Sequence, residues 1–230
     1  MRGYGIVRDG GGSRVLRDLA GAGLLALAIL AALLAFGAAD GEAGKKKKTL
    51  KPNPANEPGL IGRKMDAVRY DGAGKCKKKV PAGTKALKKW MKMNTKGGVP
   101  VSIIRCDGGV HGTGRALDWA LDARKKKEKR QADRVINTWF AKDKRGRRNA
   151  LARRMGVQLI IWNCKWWQAG DRKMQRYSAC KGTNNPDPTQ GHIDHIHVEL
   201  TKPASKLKTS FWQSEEAPGN GNEGGVNPSG

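Results

Sequence analysis

A chain of 230 residues with 38% hydrophobic content holds one domain of ordinary size with tails, and it excludes a multi-span membrane protein. The 45 basic and 20 acidic side chains give a formal charge of +25, which points to anionic surroundings: phosphate-bearing wall polymers, anionic phospholipid or nucleic acid. Residues 1–39 hold four basic and two acidic side chains, so their removal leaves that balance nearly unchanged.

The stretch Gly21 to Ala39 is almost entirely Ala, Leu, Ile and Gly, follows Arg2, Arg8, Arg14 and Arg17, and ends in Gly37-Ala38-Ala39. This is the pattern of an export signal over residues 1–39. The apolar run is also close to bilayer-spanning length, so an uncleaved signal anchor stays open. Either form carries the rest of the chain across a membrane, to an extracellular or cell-envelope location with membrane contact only through the N-terminal segment. Residues 40–60, rich in Lys, Pro, Gly and Asn, read as a flexible basic linker. A folded domain is expected over residues 61–212, and residues 213–230 read as a disordered tail with too little apolar content to bury.

Within the domain, Thr84 to Met93 reads as a short helix with Leu87, Trp90 and Met91 on one face, and Val101 to Arg105 as a strand. A strand is expected at Arg115 to Trp119. Ala132, Val135, Ile136, Trp139 and Phe140 form the stripe of an amphipathic helix from about Arg124 to Ala141. A second helix, Asn149 to Met155, stops at Gly156, and Val157 to Trp162 is a strong strand. The last strand, His195 to Leu200, points His195, His197 and Glu199 one way and Ile196, Val198 and Leu200 into a core. Elements mixed without a βαβ rhythm predict an α+β fold: a small antiparallel sheet with flanking helices.

Four cysteines in an exported chain argue for two disulfides. Three pairings are open, and closeness in sequence favours Cys76 with Cys106 and Cys164 with Cys180. A Cys₄ metal site is poorly supported because the chain has no C-x-x-C pair. Trp162, Trp166 and Trp167 are candidates for a stacking platform, against the alternative that two of them are core. His192 reads as an exposed loop histidine.

The chemistry is concentrated in His111-Gly112-Thr113-Gly114-Arg115-Ala116-Leu117-Asp118 and, far downstream, Asp194-His195-Ile196-His197. Two imidazoles and one carboxylate hold a Zn²⁺ ion at net charge +1 and leave a coordination position open, which is the hallmark of a catalytic rather than a structural site. The glycines permit a tight path, and Ala116 is small enough to pack beneath the site. These segments fit H-x-x-G-x-A-x-D and H-x-H. Over roughly Val101 to Leu200 the chain thereby resembles the zinc metallopeptidase group that includes lysostaphin, D-alanyl-D-alanine carboxypeptidases and the hedgehog signalling domain, with the carboxypeptidase branch nearest. The resemblance implies a small antiparallel sheet with the metal on its face and His111, Asp118 and His197 as ligands. It implies Asp194 as general base, and His195 as the group that contacts the developing oxyanion or shares proton transfer. Either can be the base. Arg105 is the candidate for binding a substrate carboxylate or carbonyl. Gly109 stands where the family often has Ser or Thr, a departure that bears on the substrate subsites.

The expected activity is hydrolysis of an amide in peptidoglycan peptides, as a D,D-carboxypeptidase or endopeptidase, with Zn²⁺ as cofactor and with peptidoglycan and anionic envelope polymers as partners. One alternative is a non-catalytic zinc-containing wall-binding module. A metal-dependent nuclease is a further one, because Asp194-His195-Ile196 is similar to the D-H-I of the HNH nucleases. It fits less well, since no histidine follows His197 and the His111 to Asp118 motif goes unused. Nucleic acid is therefore not an expected partner.

Overall fold

The computed structural model describes residues 53–106 and 109–218, all within one compact unit. Among these residues six strands form one sheet: β1 (Val99–Ser102), β2 (Ala116–Ala120), β3 (Val157–Trp162), β4 (Lys165–Gln168), β5 (Gln175–Arg176) and β6 (His195–Leu200). Their order is β1-β2-β6-β3-β4-β5 and every pairing is antiparallel. Helices α1 (Pro58–Ile61), α2 (Ala82–Asn94), α3 (Lys126–Phe140), α4 (Ala150–Met155) and α5 (Lys202–Ser205) flank it, so the fold is the expected α+β domain.

Strand alternation divides the sheet into a core face and a site face. On β6, Ile196, Val198 and Leu200 are fully buried and join Leu117, Trp119 and Ile160 in the core. The apolar stripes of α2 (Leu87, Trp90, Met91), α3 (Val135, Ile136, Trp139) and α4 (Leu151, Met155) complete that core. Trp90 and Trp139 stack at 5.5 Å between ring centroids and lock α2 to α3. Trp119 donates its indole N–H to Thr95 Oγ1 (3.1 Å), so the donor of this buried ring is paired. Burial of side chains this large is worth about 1.5–3 kcal/mol each, which makes the helix–sheet layer the main source of stability.

The opposite face carries Asp118, His195, His197 and Glu199. Register fixes them: Asp118 pairs with His197, Ala120 with His195 and Ala116 with Glu199. Continuing across the sheet, His197 pairs with Ile161, Ile161 with Trp166 and Trp166 with Gln175, a single cross-strand row on one face.

Several boundaries differ from the sequence expectation. The first strand runs Val99–Ser102 rather than Val101 to Arg105: its pairing with β2 passes through a bulge between Pro100 and Ser102 and ends at Ser102 opposite Asp118. The hairpin of β3 and β4 turns through Asn163 (φ 47°) and Cys164 (φ 60°), both left-handed as a two-residue turn requires, but without the Asn-Gly pair that marks such turns in sequence. Residues 53–60, expected in the flexible linker, pack instead: Ala55 and Leu60 are fully buried, and Lys144 donates its backbone N–H to Asn56 Oδ1 (2.7 Å). Residues 213–218, expected in the tail, bury Ser214 and Ala217. The export segment 1–39 and residues 219–230 lie outside the described residues. Among the described residues no helix is long and apolar enough to cross a membrane.

Both disulfides pair as sequence proximity favoured, Cys76 with Cys106 and Cys164 with Cys180, and the described residues hold no free cysteine. Two such bridges fit an oxidising compartment.

Candidate metal centre

His111 sits in a short 3₁₀ turn (Val110–Thr113) flanked by Gly109 (φ 67°) and Gly114 (φ 69°). Gly114 satisfies two demands at once: a left-handed conformation, and a space where a methyl group would come within 2.8 Å of Pro81 Cδ. The turn aims the imidazole inward. His111 Nδ1 lies 3.1 Å from the Ile103 carbonyl, so its N–H donates there and Nε2 is left bare toward the site. On β6, His197 Nε2 lies 3.1 Å from Glu199 Oε1, so that nitrogen carries the proton and Nδ1 is bare. Asp118 on β2 brings a carboxylate oxygen to the same point.

His111 Nε2, His197 Nδ1 and Asp118 Oδ1 form a triangle with sides of 3.1 Å (His111–His197), 2.9 Å (His197–Asp118) and 3.2 Å (His111–Asp118). Bonds of about 2.0–2.1 Å at tetrahedral angles put the ligands of a zinc ion about 3.3 Å apart, so a few tenths of an ångström of expansion admits one. All three side chains are buried, with the donor atoms within 4.8 Å of one another. Burial opposes ionisation of Asp118, but in the metal-free protein the hydrogen bonds it accepts when His111 Nε2 or His197 Nδ1 carries a proton overcome it and hold the carboxyl well below the usual range. Burial likewise opposes the charge on His197, yet its bonds to Asp118 and Glu199 raise its pKa. Converging lone pairs with these shifts define a site that calls for a cation, either a proton or a metal.

Glu199 is a member of this site that the alternation of β6 had already placed on the His197 side. Its Oε2 accepts from Gln158 Nε2 (2.9 Å), and Gln158 Oε1 accepts from the Asp71 backbone N–H (2.9 Å), which anchors the carboxylate from behind. Ala116, its cross-strand partner, leaves it room. Glu199→Gln keeps the volume but lets an amide meet His197 in the wrong tautomer. We expect zinc affinity, measured by competition with a chromogenic chelator, to fall by about 10–100-fold while the melting profile keeps its shape. Unchanged affinity would remove Glu199 from the site.

The remaining candidates are distributed around the triangle. His195 donates from Nδ1 to Asp194 Oδ1 (2.7 Å), and its Nε2 stands 3.7 Å from Asp118 Oδ1, facing the ligands. Asp194 also accepts from Thr189 Oγ1 (2.8 Å), so both of its oxygens are engaged away from the triangle. Burial would raise the Asp194 pKa, but these two hydrogen bonds lower it and keep the group ionised. Arg105, expected to bind substrate, donates to Asp118 Oδ2 (2.8 Å), the oxygen that faces away from the two imidazoles, with its own side chain half-exposed.

His192 corrects the sequence reading. It is half-buried rather than exposed, its ring 4.7 Å from that of His195 and 5.5 Å from that of His197, with the edge of Tyr177 at 5.3 Å. It adopts φ 51° in a loop held to the β3–β4 turn by Asn163 N–H to His192 O (2.7 Å) and Cys164 N–H to Gly191 O (2.9 Å). Burial, then the neighbouring imidazoles, lower its pKa to about 4, so it is neutral above that. No motif pointed to it; the signal was its position two residues before Asp194-His195. Of the tryptophans, Trp162 and Trp167 are core, whereas Trp166 is half-buried on the site face in the row of His197.

A family model described as "VldE, C-terminal domain" matches residues 73–193, from the Cys76 loop through His111, Asp118 and His192 to the residue before Asp194. No curated protein matches the chain. No solved structure matches it either.

Proposed function

The chain belongs to the VldE C-terminal domain family, and on the geometry of its candidate metal centre we propose that it is an exported zinc-dependent peptidase that hydrolyses an amide bond in peptidoglycan peptides. The observation that carries the reading is the buried triangle of His111 Nε2, His197 Nδ1 and Asp118 Oδ1, whose sides of 2.9–3.2 Å suit one zinc ion. When bound, zinc supplies Lewis acidity that lowers the pKa of water and polarises a carbonyl.

The protein's own groups divide the remaining work. His195 is the proton carrier: its Nδ1–H is fixed by the Asp194 carboxylate, which leaves Nε2 bare and facing the ligands, where it accepts a proton from the attacking water and returns it to the leaving amine. Asp194 orients that ring and stabilises the imidazolium. Neutral His192, packed on His195, shields this face from bulk water and offers a hydrogen bond to the reacting carbonyl region. Trp166, two strands from His197 in the same row, lies about 10 Å away and provides an apolar surface for the substrate beyond the scissile bond. Location in an oxidising compartment is supported by the two disulfides, and export by the N-terminal pattern.

Digestion of purified peptidoglycan by the zinc-loaded protein, with mass spectrometry of the products, tests the reading. We expect new amine ends, either released D-alanine or opened cross-links, that chelation abolishes. A zinc-loaded protein that leaves every wall amide intact would sink it.

A further inference from the structure

Between Ala73 and Cys106 the chain carries ten cationic side chains, nine of them lysine, and no Asp or Glu. Four of the lysines, Lys85, Lys88, Lys89 and Lys92, occupy α2 at intervals of three, one and three, and all are exposed. That spacing gathers them on the helix face opposite Leu87, Trp90 and Met91, which are buried in the core. Like charges at i, i+3 and i, i+4 weaken a helix. The start of the segment, before α2, borders the turn that carries His111. Lys77 donates its backbone N–H to the Gly112 carbonyl (2.7 Å), Cys76 is bridged to Cys106, and Pro81 lies against Gly114.

We infer that the lysine face of α2, on the helix layer and away from the sheet face that carries the metal centre, is a docking track for a flexible phosphodiester polymer. Lysine suits this partner. It offers a compact charge on a mobile stem, without the fixed two-pronged geometry through which arginine reads a particular phosphate or base. Single-stranded nucleic acid is disfavoured because base binding relies on exposed aromatic rings, and the one aromatic residue of the segment, Trp90, is 4% exposed. An anionic bilayer is disfavoured because entry needs an apolar face. Exposed Val99 and Val101 lie on β1, with Val99 beside Ala120 on the site face, which leaves Met93 alone next to the lysines. The inference rests on the envelope location in the proposed function and not on its hydrolytic step.

The test measures binding of the full zinc-loaded chain to a synthetic poly(glycerol phosphate) at several salt concentrations. One variant replaces Lys85, Lys88, Lys89 and Lys92 with Gln. A second replaces Lys126, Lys127, Arg130 and Arg134 of α3, also exposed, which removes the same charge elsewhere. The α2 variant should lose affinity on the order of 10²-fold at 0.15 M salt, with the dependence of log K on log salt flattened by about 3. The α3 variant should lose less than about 3-fold. Equal losses would show that net charge alone attracts the polymer and would overturn the track. Binding to duplex DNA or to phosphatidylglycerol vesicles that matches the polymer and depends equally on the α2 lysines would overturn the choice of partner. Cleavage of a short, uncharged wall peptide should be the same in all three proteins. A chain that binds the polymer through α2 yet cleaves nothing would retain this inference and lose the peptidase.

Discussion

His197→Ala should leave a folded protein that no longer holds zinc. The side chain supplies one corner of the ligand triangle and, through Nε2, the contact with Glu199. Its loss should reduce zinc affinity by more than the roughly 10–100-fold expected when only a supporting partner is altered. The native protein should show the same dependence through pH. A proton and the metal compete for His197 Nδ1, and the pKa of that histidine is raised in the metal-free protein. Affinity should therefore be full above the raised pKa and fall about tenfold per unit as pH drops through it. Zinc binding by chelator competition between pH 5 and 8 reads both effects. A pH-independent affinity, or a His197→Ala protein with one tightly bound zinc, would exclude His197 as a ligand.

The second large effect separates binding from turnover. His195→Ala should retain stoichiometric zinc yet cleave wall peptides more slowly by a factor of about 10²–10⁴, the usual contribution of a positioned acid–base group. Asp194→Asn should cost less than His195→Ala, because it changes the partner that orients His195 Nδ1 without removing the imidazole. If Asp194→Asn is the more damaging of the two, the carboxylate is the base and His195 assists it. Normal turnover in both would remove the dyad from the reaction. The zinc content of each variant, measured alongside, excludes metal loss as the cause.

The elements that sequence located well are those where one physical signal dominates. Val157–Trp162 and His195–Leu200 are runs of β-branched and apolar residues with clear limits, and the structure keeps both ranges. The stripe of α3 is similarly plain, and the two metal motifs are specific enough to name three side chains that the fold brings together from positions 111, 118 and 197. What escaped depends on tertiary partners. β4 and β5 are short, and the turn that starts them uses Asn163-Cys164, whose left-handed backbone is tied by Cys180 rather than signalled by glycine. The inward turn of His192 follows from the backbone bonds of Asn163 and Cys164 to its loop, which no local pattern encodes. Asp194 and Arg105 were recognised as chemically apt, but their hydrogen bonds to His195 and Asp118 decide their orientation, and those emerge only once the sheet register is set. The linker and tail looked polar on average. Single residues such as Leu60 and Ala217 were enough to seat their ends in the core.

The strand that completes the sheet is the last one among the described residues but lies in its middle: β6 separates β2 from β3. Until residues 195–200 arrive, Asp118 has no His197 to meet and two central strands lack their shared neighbour, so no partial product of synthesis can assemble the metal site. For a polypeptide threaded through a membrane from its N-terminus, β6 is also the last of these six strands to emerge. If the proposed activity and export hold, this topology would act as a timer, with the site incomplete until translocation is nearly finished.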